Sequence, residues 1–512
     1  MASWITSRAR RDEGFTLVVV MLFLLGASML SAAAWAAANG DIPLTGRDRD
    51  SKQAYGAAEA GIAWYQYHLN QDNLYWNRCA ATSPISNGTG QRPWKAIPGT
   101  TAQYSVDLMP AAGHSQCDTN DQTSMVDPIS GTFRIRSTGL YNGRRRSVIA
   151  EFRRKAFLDF LYFTKFETLD PIVYQNQANY QWLSQQCSQY RPQRPSACMP
   201  IVFADADRIN GPLHTNDSIL TCGSPTFGRA AGDQVEFSQP APGWSNGYGC
   251  GGTPNFVGTV KAGVPTLDMP PSNSALKSVV QPNYLFTGTT TIVLNGSTMT
   301  VTNPTMGLNG VSMPLPPNGV IYAQNGACGT TYSLYQDYTD PAGCADLYIK
   351  GTYSQSLTVA SENDIIVNGS VLRSGNAVLG MIANNFVRIY HPVTRQNGGN
   401  GDNQNGGSTC TNVPGTPTNV EVDAAILSLQ HSFIVDNYMC GAPLGQLTVK
   451  GAIAQSFRGP VGTGGTQVAT GYTKNYNYDD RLKYTNPPFF LSPLQAPWQV
   501  VRYTEQIPAQ NP

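Results

Sequence analysis

Charge is scarce in this chain of 512 residues: Asp, Glu, Lys and Arg make up 13%, against about 25% in an ordinary soluble protein. What charge there is cancels. The 34 basic and 33 acidic residues leave a formal net charge of +1, which excludes a global electrostatic drive toward nucleic acid or an acidic partner. Close pairs of metal ligands are missing as well. No two of the ten cysteines form a CxxC, and His68, His114, His214, His391 and His431 are scattered without HxxxH or HExxH spacing. Neither a zinc site nor a Ser-His-Asp triad follows, and no cofactor is expected.

Glycine and proline are plentiful instead, 50 and 35 residues, cutting the sequence into short segments in the manner of a turn-rich β protein. The length calls for two or more units, or one elongated solenoid. The cysteines Cys79, Cys117, Cys187, Cys198, Cys222, Cys250, Cys328, Cys344, Cys410 and Cys440 all follow the apolar N-terminal segment. An even set of this size fits disulfides formed outside the cytoplasm. The expected connectivity joins sequence neighbours, beginning with Cys79 to Cys117; other connectivities remain open.

Phe15 to Ala38 carries no charge and as a helix would extend about 36 Å, enough to cross a bilayer core. Phe15, Leu17, Val19, Leu22 and Leu25 are the expected anchor residues. Arg8, Arg10 and Arg11 precede the span, so the positive-inside bias keeps the N-terminus cytoplasmic and sends the rest across an inner membrane in a single pass. The alternative is a cleaved secretory signal, for which Ala34-Trp35-Ala36-Ala37-Ala38 could serve as the cleavage region. The apolar run is longer than the ~7–15 residues of such a signal.

The basic leader ends in Gly14, followed at once by Phe15-Thr16-Leu17 and the apolar run. This boundary resembles the type III signal of type IV prepilins and pseudopilins. The resemblance implies that a prepilin peptidase cuts between Gly14 and Phe15, at the methylation motif of the family, and that the helix then packs with other pilins or pseudopilins at a pilus or the cell surface. Ala57-Ala58-Glu59-Ala60-Gly61-Ile62 is similar to a motif of minor pilins of the PilX type. The chain departs from the pattern at Val19, where major pilins carry the glutamate that neutralises a neighbour's N-terminal amine. A minor subunit at a filament tip, or a protein that keeps the signal without entering a filament, would tolerate that change. Ala54, Ala57, Ala58, Gly61, Ile62 and Tyr65 fall near helical spacing, whereas Asn39-Gly40-Asp41-Ile42-Pro43 is expected to interrupt the helix.

Beyond the helix, alternating apolar positions flank Asn142-Gly143, a hairpin signal. Arg144-Arg145-Arg146 with Arg153-Arg154-Lys155 is the dense basic cluster, read as a solvated hairpin edge, with lipid headgroups or an acidic polymer as the other partners it could meet. From about Phe160, short β-rich segments recur at about ten-residue spacing, among them Thr291–Leu294, Leu347–Gly351, Asp364–Gly369 and Gln446–Gly451. That spacing favours a right-handed parallel β-helix over β-sandwiches. The segments 210–219, 347–369 and 451–459 look like those of large bacterial prepilin-like proteins. The expected organisation is α+β: leader 1–14, transmembrane helix 15–38, helix extension 39–74, a small antiparallel β headgroup 75–157, a β-helix-like ectodomain 158–470, and an aromatic and proline-rich cap 471–512.

Candidates for chemistry are few. Asp205, Asp207 and Arg208, with His214 and Asp217 nearby, could belong to a polysaccharide-degrading site, but Asp-Ala-Asp-Arg before Asn210-Gly211 equally makes a capped turn. Gly398 to Asp402 resembles one copy of a calcium-binding glycine-rich repeat, too little to build a roll, so 396–409 reads as a loop tethered by Cys410 and Cys440. The tyrosines and basic residues between Tyr472 and Trp498 could stack on glycans, or cover the end of a solenoid. The expected function is a non-enzymatic, minor pilin-like subunit displaying a β domain for adhesion or assembly, with a surface glycan or host molecule as the ligand class. The alternative is a membrane-anchored β-helix enzyme acting on polysaccharide.

Overall fold

The computed structural model describes residues 13–72, 74–81, 94–127, 131–175, 177–329, 338–395, 410–464, 468–494, 496 and 498–510, with backbone alone at 13–16, 36–45 and 122. The chain divides into two compact units. One comprises Met1–Asp127, Thr132–Arg153 and Trp498–Pro512, the other Pro128–Gly131 and Arg154–Pro497.

The smaller unit is organised by helix α1 (Glu13–Gln71). Its segment Leu17–Trp35 has a mean hydropathy of 2.4 and is long and apolar enough to cross a membrane. The interruption expected at Asn39–Pro43 is not there: α1 runs through it unbroken. A single proline forfeits one backbone hydrogen bond and strains one turn, a cost of about 3 kcal/mol that bends a helix more readily than it ends one when helix is already established on both sides.

The distal half of α1 packs on a sheet of β1 (Lys95–Ala96), β2 (Gln103–Met109), β3 (Thr132–Tyr141), β4 (Arg144–Arg154) and the C-terminal strand Trp498–Gln506, in that order. β1 to β4 are antiparallel. The β3–β4 turn places Asn142 at φ 44° and Gly143 at φ 76°, the left-handed pair that a two-residue hairpin turn matching strand twist requires. Phe133 and Ile135 of β3 and Val148, Ala150 and Phe152 of β4 point inward, meeting Ala58, Ile62, Tyr65 and Leu69 of α1. The expected C-terminal segment 471–512 is divided between units: Val468–Tyr478 is a strand of the larger one, and Trp498 closes the small core, its ring edge-on to Phe133 at 4.8 Å.

The larger unit is mainly β, with a sheet of 23 strands among the described residues. Its long ladders are parallel. One register column runs Ile321, Val359, Met381, Ile426, Ile453, then Tyr162, Leu213, Val235 and Val260. A second runs Ile292, Ile349, Val367, Ile389 and Val435. Stacking aliphatic on aliphatic in register buries a continuous core that no single short strand could bury alone. The first column is spliced: residue 453, late in the chain, pairs with residue 162, where the unit begins. Strands such as Leu357–Ser361 and Leu379–Ala383 are buried on both faces, because Phe157, Phe160, Leu267, Met269 and Leu276 cover the side turned from the core.

At one corner of successive strands, Asn385 Nδ2 donates to Asn363 Oδ1 at 2.6 Å and Asn363 Nδ2 donates to Asp346 Oδ1 at 2.6 Å. This ladder satisfies amides that would otherwise be orphaned inside. Five disulfides join Cys79 to Cys117, Cys187 to Cys198, Cys222 to Cys250, Cys328 to Cys344 and Cys410 to Cys440.

Candidate functional site

The N-terminal helix carries the clearest functional surface. Leu17, Val19, Leu22 and Leu25 are exposed, as are Phe23, Met29, Leu30 and Trp35. An apolar face of this size left in water would be a large unfavourable exposure, so it calls for lipid or other helices. Gly14 and Phe15 lie in the first turns of the same helix.

Further along, Ala54, Ala57, Ala58, Gly61 and Ile62 are buried while Glu59 faces solvent. The small residues of this motif are needed for packing: a β-carbon at Gly61 would press on the Tyr104 ring at 2.9 Å.

The group Asp205, Asp207, Arg208, His214 and Asp217 is not one site. Asp205 Oδ1 accepts from Ser224 N at 2.7 Å and Asp207 Oδ2 from Ala204 N at 3.0 Å, so both carboxylates hold turns. Arg208 reaches Thr226 Oγ1 at 3.2 Å. His214 is fully buried between Glu236, 2.9 Å from Nδ1, and Asn216, 3.1 Å from Nε2. Burial holds its pKa below the ordinary histidine value despite Glu236. Asp217 accepts from the Glu167 and Arg191 amides and pairs with Arg194.

Asp207 does line a cavity of about 530 Å³, with Arg458, Lys474, Val202, Val461 and Pro443. Lys474 Nζ sits 3.0 Å from both Asp207 oxygens. Burial would raise the Asp207 pKa, but Lys474 and Arg458 hold it below the carboxylate range. A glycosidase site needs one carboxyl held protonated and a second beside it, and Asp207 is the sole carboxylate among the described lining residues.

The most demanding electrostatic feature is one that the strand pattern conceals. Arg388 is fully buried, its Nε 2.5 Å from Asp364 Oδ2 and its Nη1 2.9 Å from Asp436 Oδ1. Tyr338 Oη donates to the other Asp436 oxygen at 2.8 Å and accepts from His391 N at 2.9 Å. Burial disfavours the guanidinium charge, and the two carboxylates overcome it, leaving its pKa above the ordinary value. Burial pushes Asp436 up to about 6 in spite of Arg388. Burial and the Asp364 charge push Asp346 up to about 8. A lone arginine inside Phe386-Val387-Arg388-Ile389 is the one sequence signal of this network.

The tyrosines near the C-terminus form no exposed platform. Tyr472, Tyr476 and Tyr478 are buried, with Tyr478 Oη donating to Leu158 O at 2.6 Å, while Tyr484 alone of that group is exposed. The basic run is split by its own strand: Arg144 and Arg145 are at the hairpin tip and Arg153 nine residues away along β4, about 30 Å at strand spacing. Segment 396–409, with its glycine-rich stretch, lies outside the described residues. Among the described residues, no group of three or more His, Cys, Asp and Glu side chains could hold a metal ion.

No protein-family model matches the chain, and no curated protein matches it. Among solved structures it is similar to the competence-associated pilin ComZ from Thermus thermophilus, at 12% identity over 90% of this chain and 98% of that one, with a TM-score of 0.27. A likeness this slight carries no argument.

Proposed function

We propose that the chain is a non-enzymatic, minor pilin-like subunit of a type IV pilus or a related filament or secretion machine, displaying its β domain for adhesion or assembly. One observation carries the reading: Gly14-Phe15 opens an unbroken helix whose segment Leu17–Trp35 is apolar and exposed, and whose later part packs through Ala54, Ala58 and Ile62 on an antiparallel sheet. In this reading a prepilin peptidase cuts between Gly14 and Phe15, with the N-terminus cytoplasmic. The segment containing Phe15, Leu17, Val19, Leu22 and Leu25 first anchors the chain in the inner membrane, then packs against other pilins.

Val19 in place of an acid suits a tip position, where no amine above needs neutralising and a buried carboxylate would cost energy. The parallel register columns support reading the large unit as a right-handed β-helix, whose flank would offer an adhesive face to a surface glycan or host molecule. The pairing of Asp207 with Lys474 speaks against the alternative of a polysaccharide-degrading enzyme. A test is the Gly14→Val chain. It is expected to stay in the membrane and to disappear from sheared surface material that contains the wild type. Equal recovery of both contradicts the reading.

A further inference from the structure

The strand Val468–Tyr478 of the larger unit is paired along one edge with Pro443–Phe457, but its other edge is only partly covered. On that edge Val468, Thr470 and Gly471 pair with Gly462–Gly464, and Tyr476 and Asn477 pair with Ile209 and Asn210. Among the described residues no strand meets 473–475 there. Where the ladder parts, the cavity of about 530 Å³ opens, with Asp207 and Lys474 side by side in its wall. Val202, Val461 and Val468 make much of the rest of the lining, and Ala206 and Thr473 are exposed at its rim. The volume lies within the range of about 300–1,000 Å³ usual for small-molecule sites, which are likewise mainly apolar with a few placed polar groups.

The charges around the cavity are already matched. Lys474 Nζ is 3.0 Å from both oxygens of Asp207. Arg458, buried over the Phe203 ring at 3.5 Å, has Glu167 Oε2 3.5 Å from Nη1 and donates from Nη2 to Val202 O at 3.2 Å. A ligand ion would enter this setting without a counter-charge of its own; a neutral polar molecule needs none.

The Asp207–Lys474 pair nevertheless has bonding capacity to spare. An ammonium carries three N–H donors and a carboxylate about four acceptor positions. Two of the donors serve Asp207, which also accepts from Ala204 N at 3.0 Å. One donor on Lys474 and one acceptor position on Asp207 are left, and the two side chains keep 23% and 13% of their surface. A free donor beside a free acceptor matches two vicinal hydroxyls, each of which both donates and accepts, and the valines of the wall match the C–H face of a sugar ring.

We propose that this cavity binds one neutral hexopyranose residue, held at two vicinal hydroxyls by Asp207 and Lys474, without cleaving it. The inference deepens the adhesive reading by giving it a site and a ligand class, and rests on that reading for a surface glycan as the source of the sugar.

The test uses the full chain in nanodiscs and saturation-transfer difference NMR with the methyl pyranosides of glucose, galactose and mannose, with glucuronate and inorganic phosphate alongside. At least one neutral pyranoside is expected to bind with a dissociation constant of about 1 mM. Asp207→Asn combined with Lys474→Gln removes both charges together and is expected to weaken binding about tenfold or more. Ala206→Trp leaves the ion pairs in place and is expected to block the cavity from its rim; the melting temperature checks that each variant is folded. Binding of none of the three pyranosides, binding of glucuronate or phosphate in their place, or pyranoside binding unchanged in either folded variant overturns the proposal. A chain that binds no sugar yet is recovered from surface filaments beginning at Phe15 loses the cavity's ligand alone, whereas sugar binding by a chain never cut at Gly14 upholds the site and overturns the pilin reading.

Discussion

Gly139 lies directly beneath the Ala54 carbonyl, so close that a β-carbon on the glycine would overlap that oxygen and the Ala58 amide nitrogen. The helix rests on β3 at this point, and both obstacles are backbone, which cannot rotate away. Gly139→Ala is expected to destabilise the small unit by about 1–3 kcal/mol and Gly139→Val by more. Thermal unfolding followed by near-ultraviolet circular dichroism checks this; an unchanged transition in both variants would show that α1 does not sit on β3 this closely.

Arg388 holds Asp364 and Asp436 apart inside the larger unit. Arg388→Met leaves two buried carboxylates without their cation and is expected to cost about 3–5 kcal/mol. Adding Asp364→Asn and Asp436→Asn should restore a large part of the loss, since the neutral amides no longer need a counter-charge. A denaturant series on the single and triple variants reads both effects.

Asp346 should make the protein less stable as pH rises. Its folded pKa of about 8 lies above the ordinary unfolded value of about 3.9, so between these values the folded state binds the extra proton. Stability therefore falls across that window and is level above it. Asp346→Asn, which keeps the acceptor for Asn363 without the charge, is expected to flatten this slope and to gain about 1–2 kcal/mol at pH 8. Melting temperatures of wild type and variant from pH 5 to pH 8 show whether the two curves diverge.

Local patterns in the sequence disclose the parts whose physics is local. Asn142-Gly143 between alternating apolar residues is a hairpin because only such residues take the left-handed turn cheaply, and the uncharged run after Gly14 is a helix long enough to span lipid. The aliphatic triplets around Val359, Met381 and Ile426 announce stacked strands for the same reason. What remained hidden depends on distant partners. Nothing near Trp498 marks it as belonging with Phe133, and nothing near Ile453 marks Tyr162 as its neighbour in register. Asn368-Gly369, a turn signal by composition, lies inside the strand Ile365–Arg373, at the point where its register with Leu347–Tyr353 shifts between Ile349 and Gly351, so the pair makes a bulge within a strand rather than a turn between two. The basic run shows the same limit: adjacency along the chain suggested one patch, whereas strand geometry parts Arg144 and Arg145 from Arg153.

The central claim is that Gly14–Phe15 is a processing site on a pilin-like helix, and N-terminal mass spectrometry of the chain from membrane and sheared-surface fractions tests it most directly. The account predicts a mature chain beginning at Phe15, recovered with surface filaments. A chain cut near Ala38, or an uncut chain confined to the membrane, would contradict it.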